Sequence, residues 1–113
     1  MHHSIDEHFE RKSQSVRKIY DTIVAAGRRF GPVEEDAKKT SIHLNRRSAF
    51  AGIQTRRDFL ILTVKAGSDI SSPRISKRER ASANRWHHEI RLSSVDEVDV
   101  ELIGWLRDSY DIS

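Results

Sequence analysis

His87-His88-Glu89 sets two imidazoles and a carboxylate on consecutive residues. Such groups ligate metals or pass protons. On a strand, adjacent side chains point to opposite faces, so His87 and His88 cannot hold one ion together. His87 and Glu89 share a face, and His43 from another strand can meet them there. This grouping is the candidate for acid–base or metal chemistry, although it has no signature spacing. His88 falls in line with Trp86 and Ile90 and reads as a hydrogen-bonded, partly buried histidine. The chain contains no G-x-S-x-G, no glycine-rich loop before a helix and no Walker sequence. It contains no cysteine, which removes disulfides, thiolate nucleophiles and cysteine-based zinc sites. Asp58 and Glu89 are the strand-region carboxylates with basic neighbours, and Asp58 reads as a turn residue. No residue is assigned a catalytic role, and neither a metal nor a cofactor is expected.

Anion binding is the other chemistry within reach. Residues 38–91 hold thirteen Lys or Arg against four acids, whereas residues 1–37 hold six against seven and residues 92–113 one against six. The net charge of +3 therefore conceals a basic centre, and a basic centre favours an anionic partner without naming it. Lys39, Thr40, His43, Arg56, Arg57, His87 and Arg91 are the candidate ligand contacts. Lys39-Thr40 would line a small cleft with Arg56 and Arg91, where guanidinium groups can grip a phosphate or carboxylate through paired N–H groups. The competing reading is that cations at turns solvate loops and discourage edge pairing. Few aromatics (Trp86, Phe50 and Phe59) lie near these cations, and single-strand binders usually offer stacking platforms. Neither a helix-turn-helix nor a zinc-finger pattern is present.

The elements that must position these residues can be read from periodicity. Ser4-Ile5-Asp6-Glu7 is a capping box that would open a short helix over about 4–10. Val16, Ile19, Tyr20, Ile23 and Val24 draw one apolar stripe over a helix at about 14–26, with Gly27 as its stop. Gly31-Pro32 marks a break. Strands are expected at about 33–37 (weak, acidic, an edge), 41–45, 49–55, 59–66 and 86–92. Arg56-Arg57-Asp58 forms a tight hairpin connection within this set. Phe59 to Ala66 is apolar on both faces and reads as a central strand. The span 67–85 reads as a long basic loop. Ser94-Val95-Asp96-Glu97 is a second capping box, opening a helix over about 95–110. Its first-turn acids complement the helix dipole, which accounts for much of the C-terminal negative charge.

These pieces predict one domain over 1–113 of α+β class. Its antiparallel sheet has four to five strands, with two N-terminal helices and one C-terminal helix packed on one face. The opposite, polar face then becomes the place for a site. No apolar run reaches the roughly 18 residues of a membrane span, and no signal pattern is seen at the N-terminus. His2 and His3 carry no weight. A cytoplasmic, membrane-free protein is expected. A homodimer through the helix that bears Trp105 and Tyr110 stays open, although their spacing fits a packed core stripe.

Several short motifs together carry a resemblance. They are His8-Phe9, Phe30-Gly31-Pro32-Val33, Lys39-Thr40-Ser41-Ile42, Phe50-Ala51, Arg56-Arg57, Trp86-His87-His88-Glu89-Ile90-Arg91-Leu92, Asp96 to Asp99, and Trp105-Leu106 with Tyr110. In order and spacing the chain resembles the bacterial and archaeal family called domain of unknown function 5655, whose members often carry a "predicted transport protein" label. In shape it is also similar to the small YdhG-like domains, which resemble frataxin. The resemblance implies a compact α+β fold. Relatives that follow a nuclease-like domain imply nucleic-acid contexts, while the transport label is discounted because no membrane segment is present. The family usually has an aromatic residue after the Lys-Thr pair, where this chain has Ser41, so a ring contact is not implied there. The favoured function is a non-catalytic module for an anionic small molecule or nucleic acid. The alternatives are a small enzyme using a His/Glu cleft and a protein-interaction domain.

Overall fold

The structure, a computed structural model, describes residues 2–113. The apolar stripe from Val16 to Val24 forms α1 (Gln14–Phe30) and is buried along its length. Each of these side chains contributes about 1.5–3 kcal/mol on leaving water. The strands that follow are β1 (Glu34–Ala37), β2 (Ile42–Asn45), β3 (Ala49–Thr55), β4 (Leu60–Ala66), β5 (Ile75–Ser82) and β6 (Arg85–Leu92), and the last helix is α2 (Val100–Asp111). Among the described residues the strands form one antiparallel sheet in the order β1-β2-β3-β4-β6-β5. Alternation decides which face is covered. Ile42, Leu44, Ile53, Leu60, Leu62, Val64, Ile90 and Leu92 are buried with the helices, while the intervening residues remain partly exposed.

The α+β class and the antiparallel sheet agree with expectation, but the counts do not. The sheet has six strands, and the supposed basic loop at 67–85 contains the sixth, β5. Only Ile75 of β5 is buried, so this strand has no apolar alternation to reveal it. Its backbone pairing with β6 holds it in place. The first N-terminal helix is instead a single 3-10 turn, Asp6–Phe9, although the Glu7 amide does donate to Ser4 Oγ at 3.2 Å. Helix α1 continues past Gly27 to Phe30. Gly27 is buried, and a Cβ there would lie 3.3 Å from the Phe50 ring, so its small size serves packing rather than termination. The break comes at Gly31-Pro32.

The Ser94 capping box forms in full but opens only a 3-10 turn, Val95–Glu97. The true cap of α2 is Asp99, whose Oδ1 accepts from the Leu102 amide at 3.0 Å. Arg74 reinforces it at 2.9 Å and also donates to the Glu97 carbonyl at 2.6 Å. The Leu102 amide first, and Arg74 after it, hold the Asp99 carboxyl below its ordinary value of 3.8. A depressed folded-state value means the stabilisation is fully present above the unfolded value and is lost as pH falls through the folded one. Asp99→Asn keeps a capping oxygen and removes this titration. Urea midpoints of that variant should therefore fall less steeply than those of the parent between about pH 5 and pH 2. Parallel profiles would remove Asp99 from the acid response.

Edge strand β1 is as acidic as expected, and one of its acids faces inward for a reason. Glu35 accepts the Tyr20 hydroxyl at 2.6 Å and Arg28 at 3.0 Å. Burial, followed by this carboxylate, pushes the Tyr20 phenol far above its ordinary pKa.

Candidate functional site

Antiparallel pairing brings two basic turns to one end of the sheet. Ala37↔Ile42, Ile42↔Ile53 and Thr55↔Leu60 are in register, so the turn holding Lys39-Thr40 and the turn holding Arg56-Arg57 lie at the same edge of neighbouring hairpins. The N-terminal segment is laced across both. His8 Nε2 lies 2.7 Å from the Lys38 carbonyl, Thr55 Oγ1 donates to the His8 carbonyl at 2.7 Å, and the Ser13 amide donates to the Arg57 carbonyl at 2.8 Å. Lys12, the residue before Ser13, and Arg11 before it thereby join the same end. Arg11 sits in the left-handed region with φ 60°. On the open face Arg91 pairs across from Ile61, and its guanidinium lies 3.7 Å from the centre of the Phe59 ring, beside the Arg56-Arg57 turn.

Ion pairing separates the cations of this chain into two groups. Arg17, Arg28, Lys38, Arg74, Arg78 and Arg107 are each bonded to carboxylates. Among the described residues, Arg11, Lys12, Lys39, Arg56, Arg57 and Arg91 form no ion pair, and all but Lys12 are exposed. Lys18, Arg29, Arg46, Arg47, Lys65, Lys77, Arg80 and Arg85 are also unpaired among the described residues but lie elsewhere. Glu10 and Asp58 are the acids in the same turns. In the supposed basic loop, carboxylates claim two of the five cations, Arg74 and Arg78, while Lys77, Arg80 and Arg85 have none among the described residues. Arg74 ties β5 to α2, Arg78 binds Asp69 at 3.0 Å, and Arg80 donates to carbonyls of its own hairpin.

His43 does not meet Glu89, although His87 and Glu89 share a face of β6. His43 on β2 begins a cross-strand row that continues through Gly52 and Thr63 to Glu89 on β6. Three strand spacings, about 14 Å, separate its two ends. His87 stands opposite Lys65, on the same strand as Glu89. His88 points inward and is fully buried, with Nε2 2.9 Å from Asp69 Oδ1 and 3.1 Å from the Ile70 amide. That contact with His88, and Arg78 after it, hold the Asp69 carboxyl below its ordinary value. The seven candidate contacts thus divide. Lys39, Thr40, Arg56, Arg57 and Arg91 lie along one end of the sheet. Strand β2, which leaves the Lys39-Thr40 turn, and the β6 strand of Arg91 are three strand spacings (about 14 Å) apart, so these residues form a basic edge rather than the expected small cleft. His43 and His87 border a groove of about 260 Å³ on the open face.

Residues 5–113 match the family model of the domain of unknown function (DUF5655). The chain belongs to that family. No curated protein and no solved structure matches it. The family resemblance read from the short motifs therefore holds across nearly the whole chain. Of those motifs in this DUF5655 domain, Arg56-Arg57 lies at the basic end, Phe50-Ala51 lies in β3 behind the groove, and Tyr110 is buried beneath α2. No described helix of the domain is long and apolar enough to cross a membrane.

Reading the chain residue by residue missed Arg11 and Lys12 at the basic end and, in the groove, Gly52 and Lys65 along with Ser41, Gln54 and Thr63. Arg11 and Lys12 lie in a linker whose position depends on contacts across about forty residues of chain. Lys65 was concealed within a strand read as apolar on both faces, although Ile61, Thr63 and Lys65 alternate with Leu60, Leu62 and Val64, and Gly52 lies unmarked in the strand beside it. That alternation was the available signal for an open face.

Proposed function

We propose that this DUF5655 domain is a non-catalytic module that binds the phosphate backbone of nucleic acid at the basic end of its sheet. The observation that carries this reading is the meeting of six unpaired cations from the N-terminal segment, two hairpin turns and β6. At physiological salt, charges interact over about 8 Å, so cations gathered on adjoining turns act on one polyanion. Arg91 lies over the Phe59 ring and makes no ion pair among the described residues, so its guanidinium can offer N–H groups to phosphate oxygens. A lipid surface is disfavoured because the exposed large apolar side chains, Val100 and Ile112, both belong with α2. The separation of His43 from Glu89 supports the non-catalytic part of the reading.

Fluorescence anisotropy with labelled DNA and RNA of mixed sequence tests it. Affinity should fall with salt along a log–log slope of roughly −3 to −5, close to one unit per phosphate neutralised. The double variant Arg56→Gln/Arg57→Gln should reduce that slope by about two units and weaken binding at least tenfold. Lys77→Gln/Arg85→Gln, on the far hairpin, should change neither. Absence of binding at low salt, or equal loss in both double variants, would sink the proposal.

A further inference from the structure

The groove on the open face is a second surface, built differently from the basic end. Its floor is β3 at Gly52, where a missing side chain leaves a trough about 10 Å wide between the side chains of β2 and β4. His43 forms one wall, Thr63 and Lys65 form the other, and His87 stands beside Lys65. Ser41 and Gln54 complete the rim. Asp36, Glu89 and Glu79 lie on the same face of neighbouring strands, but none of them lines the groove, and Asp36 is paired with Lys38.

Lys65 has an unusual position. The Phe50 bulge interrupts β3 next to it, and the Ser109 hydroxyl accepts from the Lys65 amide at 2.9 Å. The residue is partly buried, and its ammonium donates to Ser48 Oγ at 3.0 Å, with no carboxylate partner among the described residues. Burial first, and the Arg85 charge second, bring its pKa below the ordinary 10.5. A partly desolvated cation without a counter-ion is costly, and an arriving anion relieves that cost through a charge-assisted hydrogen bond.

We infer that the groove binds a small carboxylate monoanion with a flat, apolar body. Its carboxylate meets the Lys65 ammonium, and its body lies over Gly52 against the His43 ring. Lys65 is the Lys or Arg that lines the groove, Arg85 lying outside it, so one ammonium meets one negative charge there, whereas a phosphate dianion calls for more donors than this wall offers. The polar rim of Ser41, Gln54 and Thr63 supplies hydrogen bonds that orient the ligand.

Benzoate, uncharged benzamide and inorganic phosphate serve as probes in titrations of the ¹⁵N-labelled domain followed by NMR. Benzoate should give saturable shifts at the Gly52, Thr63 and Lys65 amides, with benzamide and phosphate at least tenfold weaker there. Gly52→Val should abolish these shifts by filling the trough. A Cβ at this position meets Thr63 Cβ at an ordinary 3.7 Å, and valine suits a strand, so the variant should keep its melting temperature. Lys65→Met should weaken benzoate at least tenfold, while Arg56→Gln/Arg57→Gln should leave it unchanged. Failure of nucleic-acid binding would leave this inference intact. Shifts that persist in Gly52→Val, that depend on Arg56 and Arg57, or that phosphate matches would overturn it, as would no saturable response to benzoate.

Discussion

Ser109→Ala is expected to destabilise the fold by about 2–4 kcal/mol, because it strips the partner from two backbone groups that a buried hydroxyl now serves. Ser109 is fully buried in α2, and its Oγ donates to the Phe50 carbonyl at 2.6 Å while accepting the Lys65 amide at 2.9 Å. Both groups stand where the pairing of β3 with β4 gives out. The last paired residues are Ala51 and Val64, and Phe50 is the extra residue of a bulge against β2. An amide or carbonyl left dry and unpaired costs about 1–3 kcal/mol, far more than the net gain of an ordinary hydrogen bond. Urea unfolding measures the loss, and amide exchange at Lys65 should quicken with it. A change below about 1 kcal/mol would mean that water replaces the hydroxyl at both groups.

Ser109 also shows why the groove is harder to read from sequence than the core. The stripe of α1 is a local pattern, and every residue of it is buried as the 3.6-residue period requires. Strands β2 and β6 carry their own alternation in the same way, while Ile61 masks it in β4 and the Phe50 bulge interrupts it in β3. By contrast, β5 reads Ile-Ser-Lys-Arg-Glu-Arg-Ala-Ser and owes its existence to β6, a partner that its own sequence does not encode. A serine in a helix likewise gives no hint that it will complete a broken sheet ladder 44 residues away. Long-range pairing supplied what local pattern could not.

The basic end has a similar history. Arg56-Arg57 at a hairpin turn and Lys39-Thr40 at strand entry are visible as types and positions, and the alternation of β6 places Arg91 on the open face. Their convergence depends on strand order, which periodicity leaves open. Ion pairing then decides which cations remain available. Arg74 and Arg78 look equivalent to Arg56 and Arg57 in sequence, yet carboxylates claim them: Asp99 and Glu101 at the start of α2 take Arg74, and Asp69, nine residues upstream, takes Arg78. The basic excess between residues 38 and 91 is thus partly scaffold and partly surface, and the two parts separate only when partners are known.

Gly31→Ala is the second large effect, expected to cost about 3 kcal/mol through backbone strain and overpacking together. Gly31 ends α1 with φ 157° and ψ −161°, a conformation that side-chain-bearing residues rarely adopt. A Cβ at this position would also collide with the Tyr110 hydroxyl, which donates to the Pro32 carbonyl at 3.0 Å. Tyr110 has little room to yield. Phe30 and Phe50 pack on its ring with centroids at 5.6 and 5.0 Å, and the Arg46 guanidinium lies 4.7 Å from the ring centre. A double-mutant cycle separates the two causes. Tyr110→Phe alone should cost about 1 kcal/mol for the lost hydrogen bond. In that background Gly31→Ala should cost at least about 1 kcal/mol less than in the parent if the collision matters, because the obstructing oxygen is gone. An unchanged cost would assign the whole effect to the backbone conformation. Either outcome bears on why Gly31-Pro32, rather than Gly27, is where α1 must stop.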